Sequence, residues 1–355
     1  MALSPLESAQ LICSDSKHVK ISQEGVESLS KTLVDKMKAN RHYIHFKGWK
    51  THPLNPKLAD DSAIDWIFLV DALNFSFWTP EGQEKYMVKY EEKQHTGYWS
   101  LCAAVNRALD EGIPITSADY CKNMSLEQAK HVFRSDSDTQ MPLLEERVRV
   151  MREVGGILIE KFDGKFADCV RRADGDAQKL LQIVVDNFPC FQDEGVFEGK
   201  RVSFYKRAQI LVADVWACFE GQGDGKFEGI DSITMFADYR IPQALVYFNV
   251  MSYDEELSAL LKAEHMFSSG ELMEMEIRAA SIWSVELLTQ RMNELIKSDA
   301  ELQGVHINAI LLDHFLWDYR RAHDAEVRHI PYHKIRCVYY WLYVYVYIVE
   351  NGEIV

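Results

Sequence analysis

The sequence predicts a mainly α fold, which becomes α+β if a small sheet is attached to the helices. Three observations predict it. Apolar residues recur at helical spacing along most of the chain, Gly and Pro fall in the gaps between those segments, and strand-like runs are confined to two stretches.

In chain order, Glu24 to Ala39 sets Val26, Leu29, Leu33, Val34 and Met37 on one helical face, and Gly97 to Leu109 and Leu143 to Phe162 repeat the pattern. Further helices are predicted over Asp176 to Phe188, Phe204 to Phe219, Tyr253 to Lys262, Glu271 to Lys297 and His306 to Arg321. Trp66 to Trp78 and Val338 to Val349 are rich in β-branched and aromatic residues and admit short strands. With no repeat, low-complexity tract or long linker, residues 1–355 read as a single domain with room for two lobes.

The 355 residues are 47% hydrophobic, enough to bury a substantial core. A formal charge of −15, from 39 basic against 54 acidic residues, repels polyanions, so neither nucleic acid nor an acidic membrane is an expected partner. A local basic pocket can still hold one phosphate. The seven cysteines, Cys13, Cys102, Cys121, Cys169, Cys190, Cys218 and Cys337, never form a C-x-x-C pair and read as reduced thiols. Charged residues in the first twenty positions argue against a signal peptide, and the longest uncharged run, Cys337 to Val349, is too short to span a bilayer. A cytoplasmic protein is expected, with nuclear or organelle-associated pools left open.

Several segments set polar groups among apolar ones. Val70 to Trp78 places Asp71 and Asn74 inside an apolar run, either to meet a ligand or to pair backbone at a turn. Lys206 and Arg207 open a helix, where a monophosphate can sit; on spacing alone they read more readily as solvated surface cations. Gly221, Gly223, Gly225 and Gly229 form a loop without the G-x-x-x-x-G-K-S/T pattern, and so a turn, not a phosphate loop. In Thr234 to Gln243, Asp238 is flanked by aromatics and Arg240 ahead of Pro242; it can bind a heterocycle or developing positive charge, or simply cap a helix. His306 to Arg321 brings Ile307, Ile310, Leu311 and Phe315 to one side, with Asp313, Trp317 and Asp318 nearby. No H-E-x-x-H or G-x-S-x-G element supports metal or nucleophilic-serine chemistry, and His42/His45 and His329/His333 lack partners for a metal set. Carboxylate chemistry is left.

Taken together, VDALNFSFW at 70–78, YKRAQILVADVW at 205–216, TMFADYRIPQ at 234–243 and WDYRR at 317–321 resemble the queuosine salvage family, the queuosine 5′-phosphate N-glycosylase/hydrolases, over nearly the whole chain. The resemblance implies a helical fold related to DNA glycosylases. It also implies hydrolysis of the N-glycosidic bond of queuosine 5′-monophosphate, releasing queuine for tRNA modification, with no metal or redox cofactor. A carboxylate would stabilise the oxocarbenium-like transition state. Carried over by motif, Asp238 and Asp318 are the catalytic candidates. Phe236 and Tyr319 would line the base or sugar pocket, Lys206 would hold the phosphate, and His52 and Asn74 are added as substrate contacts. Asp318 at the sugar and Asp238 at the heterocycle is the first assignment, with the reverse open. The competing reading is a non-catalytic module that binds a modified nucleotide or a protein partner through an aromatic groove.

Overall fold

A computed structural model describes residues 2–45, 47–79, 82–336 and 338. It is 56% helical, with 16 α-helices and only two-stranded sheets among the described residues, so the mainly α expectation holds. The predicted helices appear at Gln23–Ala39, Tyr98–Asp110, Leu144–Lys161, Ala177–Asn187, Lys206–Cys218, Glu255–Lys262, Leu272–Lys297 and Ala309–Ala322. Their starts are set by local chemistry: Ser22, Asp176, Asp254 and Asn308 each accept a backbone N–H two or three residues into the helix that follows. The helix Pro5–Ser14 begins with a reciprocal cap, in which the Ser4 hydroxyl and the Glu7 carboxylate each accept the other's backbone N–H.

The strand reading of Trp66 to Trp78 is corrected. Residues 66–72 belong to the helix Asp61–Ala72, and the rest of the segment is irregular, with Ser76 at φ 51°. That helix is buried on nearly every side, from Trp66 through Ala72, so its sequence carries no polar face to reveal a helical period. Val338 to Val349 lies, apart from Val338, outside the described residues. The strands occur elsewhere as three antiparallel pairs: Val19–Ile21 with Met251–Tyr253, Met87–Tyr90 with Lys93–Thr96, and Glu194–Phe197 with Lys200–Ser203.

Two hydrophobic cores form. One gathers Asp61–Ala72, Tyr98–Asp110, Leu144–Lys161, Phe166–Arg172, Ala177–Asn187 and Lys206–Cys218; the other gathers Pro5–Ser14, Gln23–Ala39, Ile241–Tyr247, Leu272–Lys297 and most of Ala309–Ala322. The segment around residue 236 runs along their seam. Phe236 packs in the first core while Met235 and Ala237 pack in the second.

Close packing in the second core is tightest at Gly25, where an added Cβ would lie 2.1 Å from the Asn249 carbonyl oxygen. Gly25→Ala is therefore expected to destabilise the protein by about 1–3 kcal/mol, measured by urea unfolding. A change within experimental error would contradict this packing.

Candidate functional site

The site is built around a buried guanidinium. Arg278, from the middle of the long helix Leu272–Lys297, is 1% exposed and bonds both oxygens of Asp193 at 3.0 and 2.5 Å. It also reaches Glu274 at 3.3 Å and the Ala237 carbonyl at 3.2 Å, and lies 4.1 Å over the Phe204 ring. Asp193 in turn accepts the backbone N–H of Lys206 at 3.0 Å. One side chain thus fixes the start of the Lys206–Cys218 helix and the 234–238 segment to each other. Burial pushes the Glu274 carboxyl up to about 7, against the pull of Arg278.

Lys206 follows a left-handed turn at Tyr205 (φ 45°) and is 9% exposed. Among the described residues its ammonium has neither an ion pair nor a hydrogen bond. Burial holds its pKa below the usual lysine value; Asp238 and Asp71 oppose that, while Arg207 and Arg278 add to it. Neither Lys206 nor Arg207 is the solvated surface cation that spacing alone allowed. Arg207 is 3% exposed and donates to the carbonyls of Asp71 (3.3 Å), Ala72 and Cys190. Its charge is committed to the carboxyl end of the Asp61–Ala72 helix, where unpaired carbonyls and the helix dipole favour a cation. Arg147 does the same for Leu73 and Phe75.

Asp238 takes the structural role left open for it. Its Oδ1 accepts the backbone N–H groups of Arg240 (2.7 Å) and Ile241 (2.9 Å), capping the helix Ile241–Tyr247. Its charge also acts on Lys206 and on Asp313. Asp313 is 6% exposed, accepts the Phe236 N–H at 3.0 Å, and is pushed well above the carboxylate range by burial, with Asp238 adding to the effect. Lys206, Asp238, Phe236 and Asp313 therefore meet at the seam between the cores. Asp313 is the site residue that sequence reasoning named only as a neighbour. His314, which the sequence reading did not name, also lies here: among the described residues its buried Nε2 lacks a partner, its ring stands edge-on to Phe236 at 6.2 Å, and burial lowers its pKa to about 4.

The remaining candidates lie elsewhere around this centre. Asp318, five residues beyond Asp313 on one helix, points about 140° away around the axis. It is exposed, and crowding by protein raises its pKa while Arg321 opposes the rise. Arg321 covers the Trp317 ring at 4.7 Å, Trp317 meets Trp99 edge-on at 6.0 Å, and Trp99 stacks on His52 at 3.4 Å. His52 is thereby joined to the helix of Asp318 by a line of rings. Burial, followed by Lys57 and Arg321, lowers its pKa to about 4, so it is neutral at pH 7. Tyr319 instead packs with Phe248 (4.8 Å) and stacks on His323 (3.9 Å), and no ring contact joins it to Phe236 among the described residues. Asn74 is buried beside Asp71.

Among the described residues, His18, Asp254 and Glu256 are the group close enough to share a cation, and they include none of these residues. His18 and Asp254 already pair at 2.8 Å. Two open surface hollows, one beside Asp65 and Lys165 and one beside Asn293 and His306, also lie apart from the buried cluster in their lining residues.

An ammonium that is buried and, among the described residues, unpaired thus lies beside carboxyls and aromatic rings in a helical frame. The family model described as queuosine salvage protein matches residues 54–340, and the chain belongs to that family. It is 52% identical over 340 residues to a Mus musculus protein and 51% identical over 340 residues to one from Bos taurus, in each case covering 95% of this chain and 99% of the relative. A Nematostella vectensis protein is 42% identical over 343 residues, covering 95% and 98%. All three are named queuosine 5′-phosphate N-glycosylase/hydrolase.

Proposed function

We propose that this protein hydrolyses the N-glycosidic bond of queuosine 5′-phosphate and releases the base queuine for salvage. The names of its relatives support the reaction, and one observation in the chain itself carries the substrate: Lys206 is a buried lysine whose ammonium, among the described residues, forms no ion pair or hydrogen bond. Leaving such a charge unpaired is costly unless a ligand supplies the counter-charge, and a 5′-phosphate does so.

If the phosphate sits at Lys206, the ribose attached to it lies next in line. Asp238, whose field acts on Lys206, then faces the sugar, and Asp318 faces the heterocycle. This is the reverse of the first assignment, and the aromatic line Trp317, Trp99 and His52 near Asp318 supports it by offering rings for a planar base. As the C–N bond breaks, positive charge develops on the ribose, and the Asp238 carboxylate is placed to stabilise it and to orient the incoming water. Phe236 lines this centre. Tyr319, packed against Phe248 and His323, holds its helix in place and does not line the centre at Phe236.

The two cores and the seam between them support the reading of one two-lobed domain. The net charge of −15 agrees with a small-molecule substrate in place of a polynucleotide. Among the described residues no helix is long and apolar enough to cross a membrane, and the free cysteines agree with a reducing, cytoplasmic setting.

Lys206→Met tests the phosphate assignment. It is expected to raise KM for queuosine 5′-phosphate at least about tenfold and to leave the nucleoside queuosine nearly unaffected, because a charge-assisted contact of about 1.5–3 kcal/mol is lost only with the nucleotide. Equal effects on both substrates would contradict it. Tight binding of the nucleotide by the wild-type protein with no free base released would favour the binding-module reading.

A further inference from the structure

Asp71 takes no part in the reaction as set out above, and its surroundings are unusual. It is fully buried, and among the described residues neither carboxylate oxygen has a hydrogen-bond partner. The Asn74 amide approaches without completing a bond. Arg207, the nearest guanidinium along the chain from Lys206, is spent on backbone carbonyls, including that of Asp71 itself at 3.3 Å. That contact fixes the start of the Lys206–Cys218 helix against the end of Asp61–Ala72, and brings Lys206 beside Asp71. Asp214 lies seven residues beyond Arg207, two turns along the same helical face, and is 5% exposed. An unpartnered carboxyl and an unpartnered ammonium thus share one interior, with a second carboxyl pressing on the first.

We propose that Asp71 is a positioning residue that keeps the Lys206 ammonium charged for its ligand, and that Asp214 limits how readily it does so. This rests on the reading of Lys206 as the phosphate holder. A buried lysine sheds its proton unless a negative charge stays near it. Asp238 is such a charge, but it is engaged by the helix cap and faces the sugar. Asp71 is fully buried, and among the described residues its carboxylate oxygens are not engaged by any hydrogen bond.

The groups facing this pair are few. Lys206 feels Asp238, Arg207, Arg278 and Asp71. Asp71 is raised by burial and by Asp214, and lowered by Asn74, Lys206 and Arg207. Trp49 hydrogen-bonds Asp214, Tyr98 and Cys102 lie beside both carboxyls, and Asp313 feels Lys206 and Asp214. Loss of the Asp71 charge therefore lowers the pH at which Lys206 deprotonates. Loss of Asp214 lets Asp71 ionise more readily and raises that pH.

The test is the pH profile of kcat/KM for the full chain with queuosine 5′-phosphate and with queuosine. Asp71→Asn is expected to move the alkaline limb for the nucleotide down by about one pH unit. Its KM above that limb should rise while kcat stays within about twofold of wild type. Asp214→Asn is expected to move the same limb upward, and the nucleoside profile should stay in place for both. A merely structural role would not give opposite signs. Limbs that stay put, or that move together, overturn the proposal, and if Asp71→Asn does not fold, the direction of the Asp214→Asn shift decides it. A Lys206→Met protein that keeps its full preference for the nucleotide overturns both this proposal and the phosphate assignment beneath it.

Discussion

Asp238→Asn is expected to lower kcat about 10²–10³-fold while shifting the thermal midpoint by no more than about 2 °C. The two effects separate because Asp238 does two things with two properties of its side chain. Its Oδ1 accepts the N–H groups of Arg240 and Ile241, a task an asparagine carbonyl performs as well. In the proposed reaction its charge stabilises the developing cation on the ribose, and asparagine has none. Asp318→Asn, by contrast, removes an exposed carboxylate beside Arg321 and is expected to act mainly on KM. Comparable losses of kcat in the two variants would mean that the carboxylates have been assigned the wrong way round. Unchanged turnover in Asp238→Asn would remove it from the mechanism.

The largest effect on stability is expected at Arg278. Arg278→Met leaves Asp193 (3% exposed) and Glu274 (0% exposed) without their cation and takes a donor from the Ala237 carbonyl. Breaking a buried pair from one side costs about 3–5 kcal/mol, since the remaining charge stays desolvated. Urea unfolding measures it directly. Because the same guanidinium aligns Lys206, through Asp193, with the 237–238 backbone, any protein that still folds should also lose turnover. A variant of wild-type stability would show that Arg278 is not the anchor of the site.

Why some of this was legible in the sequence and some was not follows from particular residues. Val26, Leu29, Leu33 and Met37 show a helix because its other face is polar, and the observed helix, Gln23–Ala39, matches the reading within a residue or two. Trp66 to Ala72 hides its helix because it is buried on nearly every side within the first core and no period survives. Lys206 was visible as a cation at a helix start, but its burial depends on Asp193 and on Arg278, the latter 72 positions further along, and no local pattern reports that. Asp313 and Asp318 are indistinguishable as letters on one amphipathic helix. What separates them is the Phe236 N–H, 77 residues away in the chain, which reaches Asp313 alone of the two. The structural role of Asp238 was readable from Pro242 four residues on, whereas its electrostatic tie to Lys206 and Asp313 required the fold.

The most direct test of the whole account is mass-spectrometric detection of free base after incubating the wild-type protein and Asp238→Asn, side by side, with queuosine 5′-phosphate, queuosine and GMP. The expected result is queuine released by the wild type from queuosine 5′-phosphate, far less from queuosine, no guanine from GMP, and little from any substrate with Asp238→Asn. Queuosine 5′-phosphate returned intact by the wild-type protein, or released equally well by Asp238→Asn, would contradict a carboxylate-driven nucleotide N-glycosidase.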